Sequence, residues 1–145
     1  MDKSEVLKLD NQLCFPLYAI AKEITALYRP ILEELLDITY SQYLVLMVLW
    51  ENDGLTVSNI GEKLLLDSGT LTPLLKRLEG KGFIIRKRKK EDERVVEIFL
   101  TPTGKGLKEK ACEIPGIIQE KTGIQKEDLI EFKQIIQRIL SQINK

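Results

Sequence analysis

The sequence predicts a mainly α-helical fold with a small β-hairpin, and three observations lead to this prediction. Apolar residues recur at helical spacing near both ends of the chain. Two short helical patterns separated by a tight turn occupy the middle. Two short runs rich in β-branched and aromatic residues follow them, with charged residues between. We therefore expect a short helix pair and a hairpin, flanked by longer helices.

Size and composition indicate one soluble domain. The chain has 145 residues, of which 43% are hydrophobic and 30% are charged, which is typical of a single globular unit. No apolar run approaches the roughly 18 residues of a membrane span. Residues 1–5 are polar and acidic, unlike a secretory signal peptide. We expect a cytoplasmic protein with no membrane contact.

The residue types that are missing exclude several kinds of site. The sequence contains no histidine, which excludes histidine-based catalytic triads and histidine metal ligands. Cys14 and Cys112 are its only cysteines, too few for a four-cysteine zinc site and typical of a reducing compartment. We therefore expect neither a metal nor a cofactor.

The N-terminal region predicts three helices. The first runs from about Lys8 to Leu27, unless Pro16 makes it start near Cys14 or bend there. Pro30 opens the second, from Ile31 to about Leu36, since proline suits a first helical position. An almost wholly apolar helix from Gln42 to Glu51 follows and is expected in the core. Thr39 or Ser41 can cap it. The apolar stripe of the first helix consists of Leu13, Leu17, Ile20, Ile24 and Leu27.

Residues of about 55–100 predict a winged helix-turn-helix. Thr56 or Ser58 caps a short helix, and residues 67–70 end it and cap a second one that stops at residues 80–82. Because of Pro73, the second helix either bends or begins after a Thr72 cap. Its inward residues are Leu71, Leu74, Leu75 and Leu78. Strands at 83–87 and 95–100, joined by a charged tip, form the wing.

The C-terminal region predicts helices that serve dimerisation. Helical sequence starts at residues 101–104, is interrupted near Pro115, and resumes from about Lys126 to Ile143. The last stripe consists of Leu129, Phe132, Ile136, Ile139, Leu140 and Ile143. The winged unit is too small to cover both terminal stripes, so we expect N- and C-terminal dimerisation helices, at about 8–37 and 102–145, within one domain. The alternative is that both stripes pack within one chain.

Charge is distributed unevenly although 22 basic and 22 acidic residues cancel. Residues 1–75 hold five basic and eleven acidic side chains, whereas residues 76–94 hold nine basic and four acidic ones. A local basic stripe of this kind is what binding to a phosphate backbone needs. A solvated charged loop is the alternative interpretation.

Cys14 is the candidate reactive group. Tyr18 lies one helical turn further on, whereas Tyr28 is fourteen residues away, or roughly 21 Å along a straight helix. Cys14 and Tyr28 can therefore meet only if a partner chain runs alongside. Tyr40 and Tyr43 supply further phenols, and hydrogen bonds from phenols would favour a thiolate. A buried inert thiol is the alternative.

Five segments carry a resemblance to a known family. They are Leu13-Cys14-Phe15-Pro16-Leu17-Tyr18-Ala19, Tyr28-Arg29-Pro30, Ile38-Thr39-Tyr40-Ser41-Gln42-Tyr43, Leu66-Asp67-Ser68-Gly69-Thr70-Leu71-Thr72-Pro73-Leu74-Leu75-Lys76-Arg77 and Glu91-Asp92-Glu93-Arg94. In this order they resemble the MarR family and, within it, the OhrR-type organic hydroperoxide repressors. The resemblance covers nearly the whole chain. It also includes Pro73, which favours a second helix that starts before this residue.

The resemblance implies roles for individual residues. Cys14 matches the redox-sensing cysteine, and the sensing pocket consists of Tyr18, Tyr28 and Tyr40. Arg94 matches a wing-tip arginine that enters the minor groove, and Asp92 the acid that orients it. Cys112 is a candidate resolving thiol or an inert one. Recognition-helix positions facing DNA are Ser68, Thr70, Thr72, Lys76 and Arg77, and the basic wing adds Arg86, Lys87 and Arg88.

The expected function is that of a homodimeric repressor and not of an enzyme. An organic hydroperoxide oxidises Cys14, and either Cys112 or a low-molecular-weight thiol then completes the reaction. The repressor thereby releases its pseudo-palindromic double-stranded operator. Three alternatives stay open: a MarR-type repressor released by a small phenolic or anionic effector at the dimer cleft, a thiol peroxidase, and an architectural DNA binder without sequence preference.

Overall fold

The computed structural model describes residues 2–145 and is mainly helical, with one small antiparallel sheet. The α-helices are α1 (Lys3–Val6), α2 (Cys14–Leu35), α3 (Tyr40–Glu51), α4 (Val57–Leu64), α5 (Ser68–Gly80), α6 (Pro102–Ala111), α7 (Ile114–Thr122) and α8 (Lys126–Ile143). The strands are β1 (Leu55–Thr56), β2 (Ile84–Arg88) and β3 (Val96–Leu100). A winged helix-turn-helix with helices on both sides is thus confirmed.

Helix α2 corrects two of the predicted boundaries. The predicted start near Lys8 is wrong and the alternative start near Cys14 is confirmed, since α1 and a 3₁₀ turn at Leu9–Asn11 precede Cys14. The predicted break at Pro30 is also wrong, because one helix of 22 residues runs through it. Proline costs the helix one backbone hydrogen bond. Ile31 and Leu32, which follow directly, are buried in the core, and this packing outweighs the loss.

Helix α3 begins with a capping box. The Thr39 hydroxyl accepts the Gln42 backbone N–H at 3.2 Å, and the Gln42 side chain accepts the Thr39 backbone N–H at 2.9 Å. Thr39 is therefore the cap, and the helix starts at Tyr40, two residues before the predicted start. Val45, Leu46 and Leu49 are buried, so α3 forms the centre of the core as expected.

The helix-turn-helix has the predicted components. Thr56 caps α4, and Asp67 Oδ1 accepts the Thr70 backbone N–H at 2.7 Å at the start of α5. Helix α5 continues through Pro73, so a start after Thr72 is wrong. Because proline has no N–H, the carbonyl of Gly69, four residues before Pro73, lacks its helical hydrogen bond. Gly69 lies in the first turn of α5 and is exposed, so water can bond to this carbonyl. All four predicted inward leucines, at 71, 74, 75 and 78, are buried.

The wing belongs to a three-stranded sheet in the order β1-β3-β2. Strands β2 and β3 pair antiparallel, with Ile84 opposite Leu100 and Arg88 opposite Val96. Strand β1 pairs with β3 through Leu55 and Thr56 alone, and sequence analysis missed it because two residues show no alternation. The sheet fixes the hairpin beside α5.

The C-terminal region has the predicted last helix from Lys126 to Ile143. The break between α6 and α7 falls at residues 112–113, just before the predicted interruption near Pro115, which lies in the first turn of α7. Helix α8 has no buried residue within the chain. The stripe residues left exposed are Leu129, Phe132, Ile136, Ile139, Leu140 and Ile143. Leu13 and Ile20 of the N-terminal stripe are exposed as well. Among residues 2–145, no helix combines the length and apolarity that crossing a membrane requires.

A close backbone contact joins the wing to α6. A Cβ atom on Gly104 would lie 2.0 Å from the Phe83 carbonyl oxygen, so only glycine fits there. The Gly104 carbonyl accepts the Trp50 indole N–H at 3.0 Å, which connects α3 to the same point. Thr101 caps α6 and donates its hydroxyl to the Gly82 carbonyl at 2.6 Å.

We predict that Gly104→Ala destabilises the protein by about 3 kcal/mol or more, because backbone must shift to admit the methyl group. Urea unfolding followed by circular dichroism, at one fixed protein concentration, measures this. Gly106→Ala in the same helix is the control. Its Cβ would meet nothing within 4 Å, so it should raise stability by up to about 1 kcal/mol. Equal effects of the two substitutions would contradict the contact.

Candidate redox site and nucleic-acid interface

Three tyrosines form a cluster where α2 meets α3. The ring centroids of Tyr28 and Tyr40 are 4.7 Å apart, those of Tyr28 and Tyr43 5.8 Å, and those of Tyr40 and Tyr43 6.3 Å. Tyr43 also meets Trp50 edge-on at 6.5 Å. We call Tyr28, Tyr40 and Tyr43 the tyrosine cluster. The sequence predicts Tyr28 and Tyr40 as pocket residues, whereas it indicates Tyr43 only as a further phenol.

Burial keeps the phenols of the tyrosine cluster protonated. It raises the pKa of Tyr28 to about 12, and the neighbouring Tyr40 and Tyr43 add to this shift. Burial also raises the pKa of Tyr40 and of Tyr43. A protonated phenol is a hydrogen-bond donor. The cluster therefore offers donors to an anion over the whole physiological pH range.

Cys112 lies at the edge of the tyrosine cluster. It is the C-terminal cap of α6 and is exposed in the single chain. After burial and Tyr40, it is the third cause of the raised pKa of Tyr43. The sequence shows no relation between these two residues, which are 69 positions apart. The fold thus brings the second cysteine to the phenols.

Cys14 lies away from the cluster of its own chain. It is the first residue of α2 and is exposed. Tyr28 is on the same uninterrupted helix, fourteen residues later, so roughly 21 Å separates their positions along the axis. Tyr18, one turn after Cys14, is 66% exposed. The single chain therefore separates the candidate thiol from two of its three predicted pocket phenols, Tyr28 and Tyr40.

The predicted DNA-binding residues of α5 lie on different parts of its surface. Ser68, Thr70 and Lys76 are exposed. Thr72 lines a cleft between α5 and the wing together with Arg86, Arg88 and Arg94. Arg77 lines a different concavity, together with residues of α2 and of the start of α3.

The wing tip holds an oriented arginine. Asp92 Oδ1 accepts from Arg94 Nε at 3.0 Å, and Asp92 Oδ2 accepts from Arg94 Nη2 at 3.2 Å. These bonds and the Arg94 backbone N–H keep the pKa of Asp92 below its usual value. The Arg94 side chain nevertheless stays 90% exposed. The guanidinium is thus directed by Asp92 and remains accessible.

The other wing cations have separate environments. Arg88 donates from Nη1 to the Glu93 carbonyl at 2.8 Å, which braces the tip. The Lys87 ammonium lies 5.6 Å from the ring centre of Phe99 and does not line the cleft with Arg86 and Arg88. Arg86 is ion-paired with Glu79 of α5 at 3.1 Å.

A second concavity lies between α2, the start of α3 and α5. Lys22, Arg29, Arg77 and Lys81 contribute cationic side chains to it, and Glu33 and Asp37 contribute acidic ones. Lys81 also pairs with the Asp37 carboxylate at 3.5 Å. With four cationic and two acidic side chains, the lining of this groove carries an excess of positive charge.

Comparison with known proteins decides the family. The family model described as transcriptional regulator SarA/Rot matches residues 26–111. The organic hydroperoxide resistance transcriptional regulator of Bacillus subtilis is 51% identical over 99% of this chain and 97% of its own length. The chain belongs to the MarR family of transcriptional regulators. As a member of this family, it is a regulator and not a peroxidase enzyme.

Two solved structures of AbfR, a protein of Staphylococcus epidermidis, are similar over the whole fold. Reduced AbfR bound to DNA superposes with a TM-score of 0.79 at 38% identity, covering 97% of this chain and 99% of AbfR. Disulfide-formed AbfR gives a TM-score of 0.70 at 38% identity, covering 99% and 97%. AbfR, which shares this fold, has thus been solved both in its reduced form with DNA and with a disulfide formed.

The tyrosine cluster predicts a stability change at alkaline pH. The folded pKa of Tyr28 lies above its ordinary value of 10.0, so the unfolded chain releases this proton first. Stability should therefore fall as the pH rises from about 10 to about 12. In Tyr28→Phe the free energy of unfolding in urea should fall less steeply with pH, because phenylalanine has no hydroxyl proton to lose.

Tyr18→Phe, which removes a phenol outside the tyrosine cluster, is the matched control. Lysines also titrate in this range in all three proteins, so the difference between the slopes is the quantity measured. Identical slopes for the wild type and Tyr28→Phe would show that Tyr28 holds its proton no more tightly in the folded state.

Proposed function

We propose that this MarR-family regulator is a homodimeric repressor that senses organic hydroperoxides by oxidation of Cys14 and then releases its operator. The observation that carries the proposal is that, within one chain, the Cys14 thiol and the phenols of the tyrosine cluster lie far apart. The tyrosine cluster offers protonated donors, while the Cys14 thiol of the same chain is exposed at the far end of α2. A second subunit alongside the first would complete the site.

The exposed apolar stripes support the dimer. Helix α8 buries nothing within the chain, and the first half of α2 leaves Leu13 and Ile20 exposed. Removing such surfaces from water drives association by roughly 25 cal/mol per Å². A twofold dimer built on these helices sets two α5 helices on one side, about 34 Å apart, to match successive major grooves.

The surface formed by α5 and the wing supports DNA binding. Ser68, Thr70 and Thr72 supply hydroxyl groups for base edges, and Lys76 and Arg77 supply cations. Lys87, Arg88 and Arg94 bring positive charge to the flanking backbone and minor groove. The B. subtilis relative is named for organic hydroperoxide resistance. We place the protein in the cytoplasm, where the operator DNA is and thiols are kept reduced.

The proposed reaction oxidises a thiol and reduces a peroxide. The Cys14 sulfur attacks one peroxide oxygen, the O–O bond breaks, the alcohol leaves with a proton, and Cys14 becomes a sulfenic acid. A second thiol then displaces water from the sulfenic acid and forms a disulfide. Cys112 of the partner subunit or a low-molecular-weight thiol is the second thiol, and the position of Cys112 beside Tyr43 supports the former.

Oxidation would weaken DNA binding by changing the dimer. A disulfide at Cys14 would be a poorer acceptor of phenol hydrogen bonds than the free sulfur, and its bulk would displace the tyrosine cluster. The α2 helices then shift, and the spacing of the two α5 helices no longer matches the operator. A coupling of about 2.8 kcal/mol between the two events lowers affinity a hundredfold.

The groove beside α5 favours a second candidate function. Its cations, among them Arg29, Arg77 and Lys81, fit a small phenolic or anionic effector that binds reversibly. Such an effector would move α5 against α2 without any change at Cys14. The two candidates are separated by the response of a variant that lacks the Cys14 thiol.

We predict that Cys14→Ser keeps operator binding and loses the response to hydroperoxide. A DNA duplex selected from a random pool by the reduced wild type serves as operator, and binding is followed by gel shift after stoichiometric organic hydroperoxide with and without a small thiol. Intact mass reports the oxygen, disulfide or mixed disulfide that is formed. Release of DNA by Cys14→Ser under the same treatment would overturn the proposal.

Cys112→Ser is the matched variant, because it removes the other exposed thiol. If Cys112 completes the reaction, this variant should release DNA only when a small thiol is added, and the disulfide between subunits should disappear from non-reducing gels. Unchanged release without a small thiol would exclude Cys112 from the mechanism.

We predict that Arg94→Ala weakens operator binding and flattens the slope of log affinity against log salt by about one unit, since one cation near the phosphates is lost. Fluorescence anisotropy between about 50 and 200 mM salt measures the slope. Lys121→Ala, an exposed lysine of α7 away from the wing, should leave the slope unchanged. An unaltered slope for Arg94→Ala would remove Arg94 from the interface.

A further inference from the structure

One carboxylate ties the recognition helix α5 to the base of the wing. Glu79 Oε1 accepts from Arg86 Nε at 3.2 Å and lies 3.1 Å from Arg86 Nη2. Glu79 Oε2 accepts the Arg86 backbone N–H at 3.3 Å. Glu79 is the one acidic residue within α5. A single side chain thus connects the two elements that are proposed to contact DNA.

The pair occupies a free edge of the sheet. Strand β2 is an outer strand, and residues 83 and 89 on either side of it bond to residues 101 and 95. By the two-residue alternation of an antiparallel ladder, the Arg86 N–H points away from β3. Glu79 satisfies this N–H. Charge-assisted bonds of this kind are about twice as strong as neutral ones.

The ion pair with Glu79 also restricts the position of the Arg86 guanidinium. Arg86 lines the cleft between α5 and the wing, together with Thr72, Arg88 and Arg94. Its side chain is only 30% exposed, and the Glu79 side chain is 37% exposed. Arg94 also has an acidic partner but remains 90% exposed. Of these two paired arginines, Arg86 is the one held back from the DNA side of the cleft.

We propose that Glu79 is a specificity-determining positioning residue, which holds the wing against α5 and withholds the charge of Arg86 from the phosphate backbone. Binding to random DNA depends on cation–phosphate contacts alone, so the whole contribution of an additional free arginine would appear as higher affinity for random DNA. Binding to an operator also depends on the relative placement of helix and wing. Glu79 therefore keeps random binding weak while it preserves operator binding. The inference rests on the proposed DNA-binding function.

The test is Glu79→Gln, which keeps the size of the side chain and one acceptor oxygen but removes the charge. Affinity is measured by anisotropy for the selected operator duplex and for a random duplex of equal length, between about 50 and 200 mM salt. On the random duplex, affinity should rise by about three- to ten-fold, and the salt slope should steepen by about 0.9. Operator affinity should rise less, so the ratio of the two affinities falls.

Two further variants make the outcome specific. Glu79→Gln combined with Arg86→Met should return the slope to the wild-type value, because the released charge is then absent. Glu91→Gln removes an acidic charge from the exposed wing tip and should change both duplexes equally. Urea unfolding of each variant shows that the fold is kept.

The proposal is overturned if Glu79→Gln leaves the random-DNA slope unchanged, if the double variant keeps the steeper slope, or if Glu91→Gln lowers the affinity ratio equally. These outcomes are distinct from a failure of the proposed function. In that case the wild type itself would enrich no duplex from the random pool.

Discussion

The apolar face of α8 is the constraint on which the rest of the molecule depends. The helix contributes no buried residue to its own chain, and a stripe of large aliphatic and aromatic side chains runs along it. The first half of α2 presents a similar face. Exposed apolar faces of this kind mark interaction surfaces. In the proposed homodimer a second copy covers them, and the N-terminal end of one α2 meets the tyrosine cluster of the other.

The tyrosine cluster shows how local and long-range effects build one site. The capping box at Thr39 sets the start of α3, which directs Tyr40 and Tyr43 to one side. The continuation of α2 through Pro30 keeps Tyr28 on the helix that packs against them. Burial then raises the pKa of all three phenols. The result is a preorganised set of donors with Cys112 beside it.

On the surface proposed to face DNA, acidic side chains determine the position and exposure of the arginines. A count of charges in residues 76–94 gives a strongly basic segment, yet its arginines are not equivalent. Asp92 directs an exposed Arg94 outward, whereas Glu79 holds a largely covered Arg86 against α5. The field that DNA meets therefore depends on which arginines are accessible. It does not follow from net charge alone.

The sequence by itself determined those features that depend on a few neighbouring residues. The four inward leucines of α5, the strands of the wing and the limits of α8 follow from local bonds and periodicity. The caps were narrowed to Thr56 or Ser58 and to residues 67–70, and the structure has Thr56 and Asp67. The resemblance of Cys14 and its surroundings to a thiol-sensing family was also carried by local motifs, and comparison with relatives confirmed the family.

Only the tertiary structure decided the rest, because long-range packing competes with local preference. Ile31 and Leu32 gain enough burial to carry α2 through Pro30, and pairing with β3 creates a two-residue β1 that no pattern indicates. The approach of Cys112 to Tyr43 and of Glu79 to Arg86 depends on how whole elements are placed. Sequence spacing constrains neighbours on one helix or strand, whereas contacts between elements require the complete fold.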